Sequence, residues 1–314
     1  MRKWIYLFLL LLLSGAVAFY FFIPRTLSIN ERTELTVNEK AFARVLFNEA
    51  YWPQWWPGEK ERVLDANTAF VYNGNKYTVT GKRLTSLLLT VSRTNDSVQT
   101  ELFAIPVRSH QVEMVWTGTA TTGTSPVEKF KRFKWAKSLS ADFRAIMQRL
   151  QTFYKDDDHL YGFPIRETIV VDSLLVMTAT TTKMKPSTAD VYALVDKLKA
   201  FVQKAGAKEM GEPMLNTTAV SDSAYLTRVA IPVDRHLMNE GDVQFKQMLG
   251  RGNILVTDVK GGPVQIEKAF AQTEYFVQDY NRTAPAIPYQ KLITDRRAEP
   301  DTAKWVTKIY WPVM

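Results

Sequence analysis

Hydrophobic side chains recur at helical spacing in three separate stretches of the chain. The stretches cover residues 138–155, 188–205 and 263–280, and in each the apolar residues recur at intervals of three and four. Such spacing puts apolar side chains on one face of an α-helix, where they can pack against a sheet. Ser187 precedes the second stretch as a candidate N-cap, and Pro263 begins the third as a first-turn residue. The pattern therefore predicts three amphipathic helices.

Between residues 69 and 118 the pattern changes to β-branched residues that partly alternate with polar ones. Alternation of this kind is typical of antiparallel strands, and turn signals at 73–75 and 94–96 separate them. Asn38 precedes a short helical pattern and is a candidate N-cap for it. Together with the helix at 138–155, this order predicts an α+β layout in which a curved antiparallel sheet holds a long C-terminal helix.

Two strand-like segments in the second half resemble each other in pattern. YLTRVAIPV at 225–233 and WVTKIYWPV at 305–313 share an aromatic start, a threonine at the third position and a final Pro-Val. Each segment is the last element in a predicted order of strand, helix, strand and strand. The sequence therefore predicts two βαββ repeats about a pseudo-two-fold axis, with one shared sheet, both helices on one face and a groove at the axis.

The N-terminus carries an uncharged apolar run, residues 4–23, directly after Arg2 and Lys3. A helix of about 20 apolar residues spans the hydrocarbon core of a bilayer. The basic pair predicts a cytoplasmic N-terminus and places the rest of the chain outside the cytoplasm. A cleaved signal peptide is the alternative, because residues 16–18 (Ala-Val-Ala) have the small-x-small pattern of a cleavage site. The apolar run continues past that pattern, which favours an uncleaved anchor.

An acidic stretch divides the remaining chain. KDDDHLYGFP at 155–164 combines three aspartates with a glycine and a proline, which disfavour a continuing buried helix. We therefore expect a transmembrane anchor at 1–24, a first soluble domain at 25–157 and a second at 158–314.

Composition excludes several classes of function. The chain of 314 residues has no cysteine, and its three histidines lie far apart without a metal-binding pattern. The net charge of +8 comes from basic residues that are interleaved with acidic ones, and no nucleic-acid-binding motif is present. The sequence therefore predicts no metal, no cofactor and no nucleic-acid partner. It also contains no nucleophile–base motif, so no catalytic residue is predicted.

Two motifs of the first soluble segment carry a family likeness. They are VNEKAFARVLFNEAYWPQWWPG at 37–58 and PVEKFKRFKWAKSLSADFRAIMQRLQTF at 126–153. With the order of elements, they resemble the START-like polyketide cyclase superfamily, also called SRPBCC or helix-grip. Members typically enclose an apolar cavity between helix and sheet, so the resemblance implies a ligand cavity, with a packed core as the alternative. The residues available to line such a cavity are Trp52, Trp55, Trp56, Phe70, Trp116, Phe143 and Met147.

The last part of the chain carries a second likeness, in VTDVKGGPVQIEKAFAQTEYFVQDY at 256–280 and PYQKLITDRRAEPDTAKWVTKIYWPV at 288–313. These motifs resemble the GyrI-like family, the effector-binding domain of multidrug-responsive transcription activators. The resemblance covers residues 160–314 and implies a cleft for flat, apolar, often cationic small molecules. The implied site residues are Gln290 and, as walls, some of Tyr275, Phe276, Tyr289, Trp305 and Tyr310.

Position 290 departs from the family pattern, in which many members have a glutamate. Gln290 has no charge, so it can neither neutralise a buried cation nor act as a general base. Because side chains alternate along a strand, at most one of Tyr289 and Gln290 can face the groove, and the family pattern favours Gln290.

Three functions are compatible with these patterns. The first is a membrane-anchored, extracytoplasmic protein that binds apolar or aromatic small molecules as a sensor, buffer or carrier, with residues 4–23 in the lipid bilayer. The second is a small-molecule hydrolase or other enzyme in one of the clefts, which the missing glutamate and nucleophile disfavour. The third is an envelope interaction protein that has no ligand.

Overall fold

The protein is described by a computed structural model that covers residues 4, 14–15, 20–62, 68–94, 96–108 and 110–314. The chain packs into two compact units, residues 1–156 and residues 157–314, here called the N-terminal and C-terminal units. Each unit combines helices with one antiparallel sheet, so the predicted α+β class is confirmed.

The predicted membrane anchor at residues 4–23 lies mostly outside the described residues. Only Trp4, residues 14–15 and residues 20–23 of this segment are described. In the described part of the chain, no helix has both the length and the apolar character needed to cross a membrane. Anchoring therefore stays a prediction.

The N-terminal unit is a seven-stranded antiparallel sheet with a long helix. Its elements in chain order are β1 (Thr26–Thr36), α1 (Glu39–Leu46), α2 (Trp52–Trp55), β2 (Glu59–Arg62), β3 (Thr68–Tyr72), β4 (Asn75–Lys82), β5 (Ser86–Arg93), β6 (Asp96–Arg108), β7 (Gln111–Thr121) and α3 (Pro126–Phe153). The strands lie in the order β1-β7-β6-β5-β4-β3-β2, and the last helix, α3, packs against β1 and β7.

Local sequence signals explain where these elements begin and turn. Asn38 is the N-cap of α1, as predicted, because its Oδ1 accepts hydrogen bonds from the backbone nitrogens of Lys40 and Ala41 at 2.9 and 3.2 Å. Asn73 and Gly74 join β3 to β4 in a two-residue turn, and both have positive φ values, 49° and 74°. A tight hairpin turn requires this conformation, which asparagine and glycine adopt most easily.

A buried carboxylate ties α3 to the β3–β4 hairpin. Asp142 on α3 accepts hydrogen bonds from the Nδ2 atoms of Asn73 (2.7 Å) and Asn75 (2.8 Å), and from the Tyr77 hydroxyl (3.3 Å). Asn75 also accepts a hydrogen bond from Trp135 Nε1 at 2.8 Å. Burial, reinforced by the Asp142 charge, raises the pKa of Tyr77 far above its usual range, so the phenol remains a donor. The network therefore fixes the register of α3 on the sheet.

The C-terminal unit is an eight-stranded antiparallel sheet that carries two long helices. Its elements in chain order are α4 (Asp157–Tyr161), β8 (Ile165–Ile169), β9 (Leu174–Thr182), α5 (Thr188–Lys204), β10 (Met214–Ser221), β11 (Ala224–Pro232), β12 (Gln244–Gln247), β13 (Asn253–Lys260), α6 (Pro263–Asp279), β14 (Tyr289–Leu292) and β15 (Val306–Pro312). The strands lie in the order β12-β9-β11-β10-β14-β15-β13-β8.

The inner six strands carry the internal repeat. The order β9-β11-β10 on one side is mirrored by β13-β15-β14 on the other, and β10 pairs directly with β14 at the centre. Helix α5 packs on β9 and β11, and α6 packs on β13 and β15. Each half is thus a βαββ unit, and the pseudo-axis passes between β10 and β14.

The β-branched segment at residues 165–182 forms two strands, β8 and β9, although its sequence pattern is that of a single strand. These two strands lie far apart in the sheet, β8 beside β13 at one edge and β9 beside β11 and β12. The break contains Asp172, whose carboxylate forms an ion pair with Lys291 on β14. A continuous apolar run cannot reveal such a break, because both strands are built from similar residues.

Candidate functional site

The C-terminal unit contains a cavity of about 740 Å³ that α5, α6 and the sheet line together. It is called the interhelix cavity below. Its floor includes Leu215 on β10 and Gln290 on β14, which are directly paired across the pseudo-axis. Leu215 and Gln290 hold corresponding places in the two repeats, because each lies two residues after a proline. The cavity therefore lies where the two repeats meet.

The helices present one face each to the cavity. On α6 the lining residues Ile266, Phe270 and Glu274 recur every four positions, as expected of one helical face. On α5 the lining comes from the first turns, including Thr188 and Tyr192. The capping box at Ser187 fixes the start of α5, because its hydroxyl accepts from the Asp190 nitrogen while its own nitrogen donates to the Asp190 carboxylate.

Aromatic side chains form much of the cavity wall. Five of them line it, and they come from both repeats: Tyr192, Tyr225, Phe270, Trp305 and Trp311. Aromatic walls suit flat apolar molecules, because ring stacking and area burial both stabilise the complex. Trp305 is held in place, since its Nε1 donates a hydrogen bond to the Glu299 carbonyl at 2.8 Å.

The polar part of the cavity is a guanidinium held on the floor. Arg296 Nη2 donates hydrogen bonds to Gln290 Oε1 at 2.7 Å and to Thr307 Oγ1 at 3.1 Å. The Arg296 guanidinium carbon lies 4.8 Å from the centre of the Trp305 ring, which is a cation–π distance. The backbone nitrogen of Arg296 donates to the Tyr192 hydroxyl at 2.9 Å. Four contacts therefore fix one positive charge at the cavity.

Burial affects both titratable groups of this cluster. Desolvation lowers the pKa of Arg296 and raises the pKa of Tyr192. An arginine still keeps its proton, because the guanidinium pKa lies far above neutrality. The cavity therefore presents a charged guanidinium and a neutral phenol.

The neighbouring Arg297 points elsewhere. Its guanidinium forms ion pairs with Asp196 at 2.8 Å and with Asp295 at 3.4 Å, and it lies 4.4 Å from the centre of the Tyr192 ring. Arg297 is exposed and is not part of the cavity lining. The two adjacent arginines thus take different roles. Arg297 forms ion pairs at the surface, and Arg296 lines the cavity.

The structure brings only two of the six residues predicted for this site, Gln290 and Trp305, into the cavity lining. Tyr289 lies on the opposite face of the sheet, as strand alternation requires. There it stacks on Tyr310, with ring centres 5.2 Å apart and planes 5° from parallel. Tyr289 and Tyr310 line a separate, smaller recess of about 300 Å³.

The two aromatic residues predicted on α6 also lie away from the cavity. Tyr275 is exposed, and Phe276 packs against Tyr161 and Tyr280 with ring centres 5.2 and 4.5 Å apart. Phe276 lies about 200° around the helix axis from Glu274, so it faces another side of α6. Neither residue belongs to the cavity lining.

The residues predicted for a cavity in the N-terminal unit are core side chains. Trp55, Trp116, Phe143 and Met147 are all at least 98% buried. The rings of Trp116 and Phe143 stack with centres 4.0 Å apart, and Trp116 Nε1 donates to Thr100 Oγ1 at 3.1 Å. Packing of this kind favours the packed-core alternative over a ligand cavity at these four side chains.

Sequence patterns missed several cavity residues, among them Arg296, Tyr192 and Tyr225. One signal could have identified Tyr225, because it aligns with Trp305 at the start of the repeated strand. No comparable signal exists for Arg296, which lies in a loop beside an identical residue.

Comparison with known proteins gives only distant likenesses. No family model matches the chain, and no curated protein matches it. The solved structures that resemble it include the EcmrR C-terminal domain, with 16% identity, a TM-score of 0.41 and coverage of 48% of this chain and 98% of that chain. A hydrolase from Listeria innocua has 11% identity and a TM-score of 0.36, covering 48% of this chain and 91% of that chain. A START superfamily protein from Mycobacterium smegmatis has 9% identity and a TM-score of 0.31, covering 41% of this chain and 97% of that chain.

Proposed function

We propose that the C-terminal unit binds an apolar or aromatic small molecule in the interhelix cavity. The observation that carries this proposal is the combination of volume and lining. Ligand pockets for small molecules typically enclose about 300–1,000 Å³ and combine apolar walls with a few placed polar groups. The interhelix cavity, at about 740 Å³, has aromatic walls, and its polar groups converge at Gln290 and Arg296.

The two units are proposed to be separate domains of different families. The sheet order of the N-terminal unit and its long helix α3 support a START-like helix-grip domain over residues 25–157. The paired βαββ halves support a GyrI-like domain over residues 158–314. Thermal unfolding of each segment expressed alone tests the division, and a segment without a cooperative transition would contradict it.

We propose binding rather than catalysis because, among the described lining residues, no nucleophile lies beside a base that is free to activate it. Position 290 is an amide, and the lining includes no histidine. The Ser187 hydroxyl is engaged by the Asp190 carboxylate at 2.7 Å within the capping box of α5. A nucleophile needs an adjacent base that is free to take its proton, and none is in place here.

Blocking the cavity should remove binding. Thr217 is half-buried on the floor beside Leu215, so Thr217→Trp places a large ring in the cavity from a strand position that tolerates aromatic residues. We expect wild-type protein to bind the neutral dye N-phenylnaphthylamine with an increase in fluorescence. The affinity of Thr217→Trp for the dye should fall at least tenfold, which corresponds to about 1.4 kcal/mol.

The same substitution at an exposed strand position provides the control. Thr181 on β9 is exposed and lies outside the cavity lining, so Thr181→Trp should bind the dye like wild type. Equal dye affinity for all three proteins would mean that the interhelix cavity is not the binding site.

Anchoring is proposed from the sequence alone. The apolar run at residues 4–23 behind two basic residues supports a single-pass anchor with both units outside the cytoplasm. A reporter enzyme that is active only in the cytoplasm should be inactive when fused after Met314. Activity of that fusion would overturn the proposed orientation.

A further inference from the structure

The interhelix cavity carries a positive charge, that of Arg296, which no carboxylate of the described residues pairs with. Within the described ranges, Arg296 forms no ion pair, and its only hydrogen-bond acceptors are the neutral groups of Gln290 and Thr307. Both of these bonds use Nη2. Among the described residues, no group accepts a hydrogen bond from Nε or Nη1, and neither atom is one of the buried side-chain atoms that lack a partner. Both donors are therefore accessible on a residue that lines the cavity.

The position of this guanidinium is fixed before any ligand arrives. The Trp305 ring supports one face, Gln290 and Thr307 hold Nη2, and the backbone nitrogen is bonded to Tyr192. Thr307 is fully buried in the sheet, and Trp305 is 7% exposed. A preorganised group loses little conformational freedom on binding, which increases the affinity that each hydrogen bond provides.

The carboxylates of the cavity lie on exposed side chains. Glu267 forms an ion pair with Lys185, and both side chains are more than half exposed. Glu274 is also exposed. Exposed charges are screened by water and salt, so these carboxylates act on a bound molecule more weakly than the half-buried Arg296 does.

We infer that the interhelix cavity selects apolar or aromatic molecules that carry one negative charge, and that Arg296 is the residue that binds this charge. The inference rests on the proposed function, since it specifies the ligand class of the same cavity. A carboxylate or sulfonate can accept a charge-assisted hydrogen bond from Arg296 Nε or Nη1 while its apolar body lies against the aromatic walls.

Gln290 has a defined part in this selectivity. Its amide oxygen orients Arg296 at 2.7 Å but leaves the positive charge uncompensated. A glutamate at this position would accept the same bond and neutralise the guanidinium as an ion pair. The amide therefore permits an anionic ligand, where a carboxylate would exclude one.

Two dyes that differ by a single anionic group provide the test. Anilinonaphthalene sulfonate and neutral N-phenylnaphthylamine share one aromatic skeleton, and only the first carries a charge. The measured quantity is the ratio of their dissociation constants, obtained by fluorescence titration of the full chain. We expect wild-type protein to favour the sulfonate, because a hydrogen bond to a charged group contributes about ten- to a hundredfold in affinity.

Two variants remove the free charge by different means. Arg296→Met deletes the guanidinium, and Gln290→Glu neutralises it while the arginine stays in place. In both variants the preference for the sulfonate should fall about tenfold or more. If Arg296→Met fails to fold, Gln290→Glu alone decides the question. Competition by naphthoate and by naphthyl phosphate should separate a carboxylate ligand from a phosphate ligand.

Arg235→Met is the matched control for the loss of one positive charge. Arg235 is exposed, pairs with Asp234 at 2.9 Å and does not line the cavity, so the dye ratio should remain that of wild type. If wild-type protein binds neither dye, the proposed function itself fails. If it binds the neutral dye and both cavity variants keep the wild-type ratio, only the anion selectivity is overturned.

Discussion

Replacing Asp142 by alanine is expected to lower the free energy of unfolding of the N-terminal unit by about 2–5 kcal/mol. Asp142 is 4% exposed and accepts hydrogen bonds from Asn73, Asn75 and Tyr77. Without the carboxylate, the buried donors of Asn75 and Tyr77 lose their acceptor, whereas the exposed Asn73 can bond to water. Each unsatisfied buried donor costs about 1–3 kcal/mol, so the sum of the two is large.

Denaturant unfolding followed by circular dichroism measures this change. Arg149→Ala is the control, because Arg149 is an exposed charged residue on the same helix α3. We expect the control to change stability by no more than about 0.5 kcal/mol. An Asp142→Ala loss as small as that of the control would show that the network does not hold α3 on the sheet.

Truncation of Trp116 to alanine should cost about 3–5 kcal/mol of the same unit's stability. Trp116 is 1% exposed, stacks on Phe143 and donates a hydrogen bond to Thr100. Its removal deletes a ring contact, opens a large void and leaves the threonine hydroxyl without its donor. A residue on the wall of an open ligand cavity would cost far less, because water could fill the space.

Trp116→Phe separates the ring contact from the loss of volume. The smaller ring can still stack on Phe143, so the loss should be clearly smaller than that of Trp116→Ala. The measurement is the shift in denaturation midpoint for both variants. If Trp116→Ala is as stable as wild type, the residue is not part of a packed core and the hypothesis of an N-terminal ligand cavity gains support.

Much of the fold follows from short-range patterns. Helix α5 begins where Ser187 and Asp190 form a capping box, and the β3–β4 hairpin turns where Asn73 and Gly74 adopt positive φ. These signals are local, because each is satisfied by backbone groups a few residues away. The repeated strand predicts the symmetry of the C-terminal sheet, because similar sequence segments form similar supersecondary units.

Short edge strands are harder to predict from the sequence pattern. The four-residue strand β12 has no distinctive alternation, and it pairs with β9 across a long separation in sequence. Such pairing depends on the tertiary arrangement, and short edge strands carry little hydrophobic pattern of their own.

For the candidate site, too, some features follow from local sequence and others depend on tertiary structure. Strand alternation places Tyr289 and Gln290 on opposite faces, and the structure confirms this arrangement. Strand alternation does not indicate which helical residues line the groove, because that depends on the rotation of α6 about its axis. Phe270 lines the cavity and Tyr275 does not, although both are aromatic residues of one helix.

Arg296 shows the limit of sequence patterns most clearly. Arg296 and Arg297 are chemically identical, and only the loop conformation after β14 decides that the first meets the cavity and the second meets Asp196 and Asp295. Periodicity carries no information about a loop, and a charge count treats the two residues alike.

The charge of the cavity also changes what a glutamate at position 290 would do. A buried carboxylate with no cationic partner would attract cationic dyes. In this chain the carboxylate would first pair with Arg296, which lies within hydrogen-bonding distance of Gln290. Gain of cation binding therefore requires the loss of Arg296 as well as the new charge.

A crystal structure of the protein with anilinonaphthalene sulfonate bound would show directly whether the cavity holds an anionic aromatic ligand. We expect one dye molecule in the interhelix cavity, with its rings against Trp305 or Trp311 and its sulfonate within hydrogen-bonding distance of the Arg296 guanidinium. A dye molecule bound outside this cavity, with the cavity itself unoccupied, would contradict the proposal.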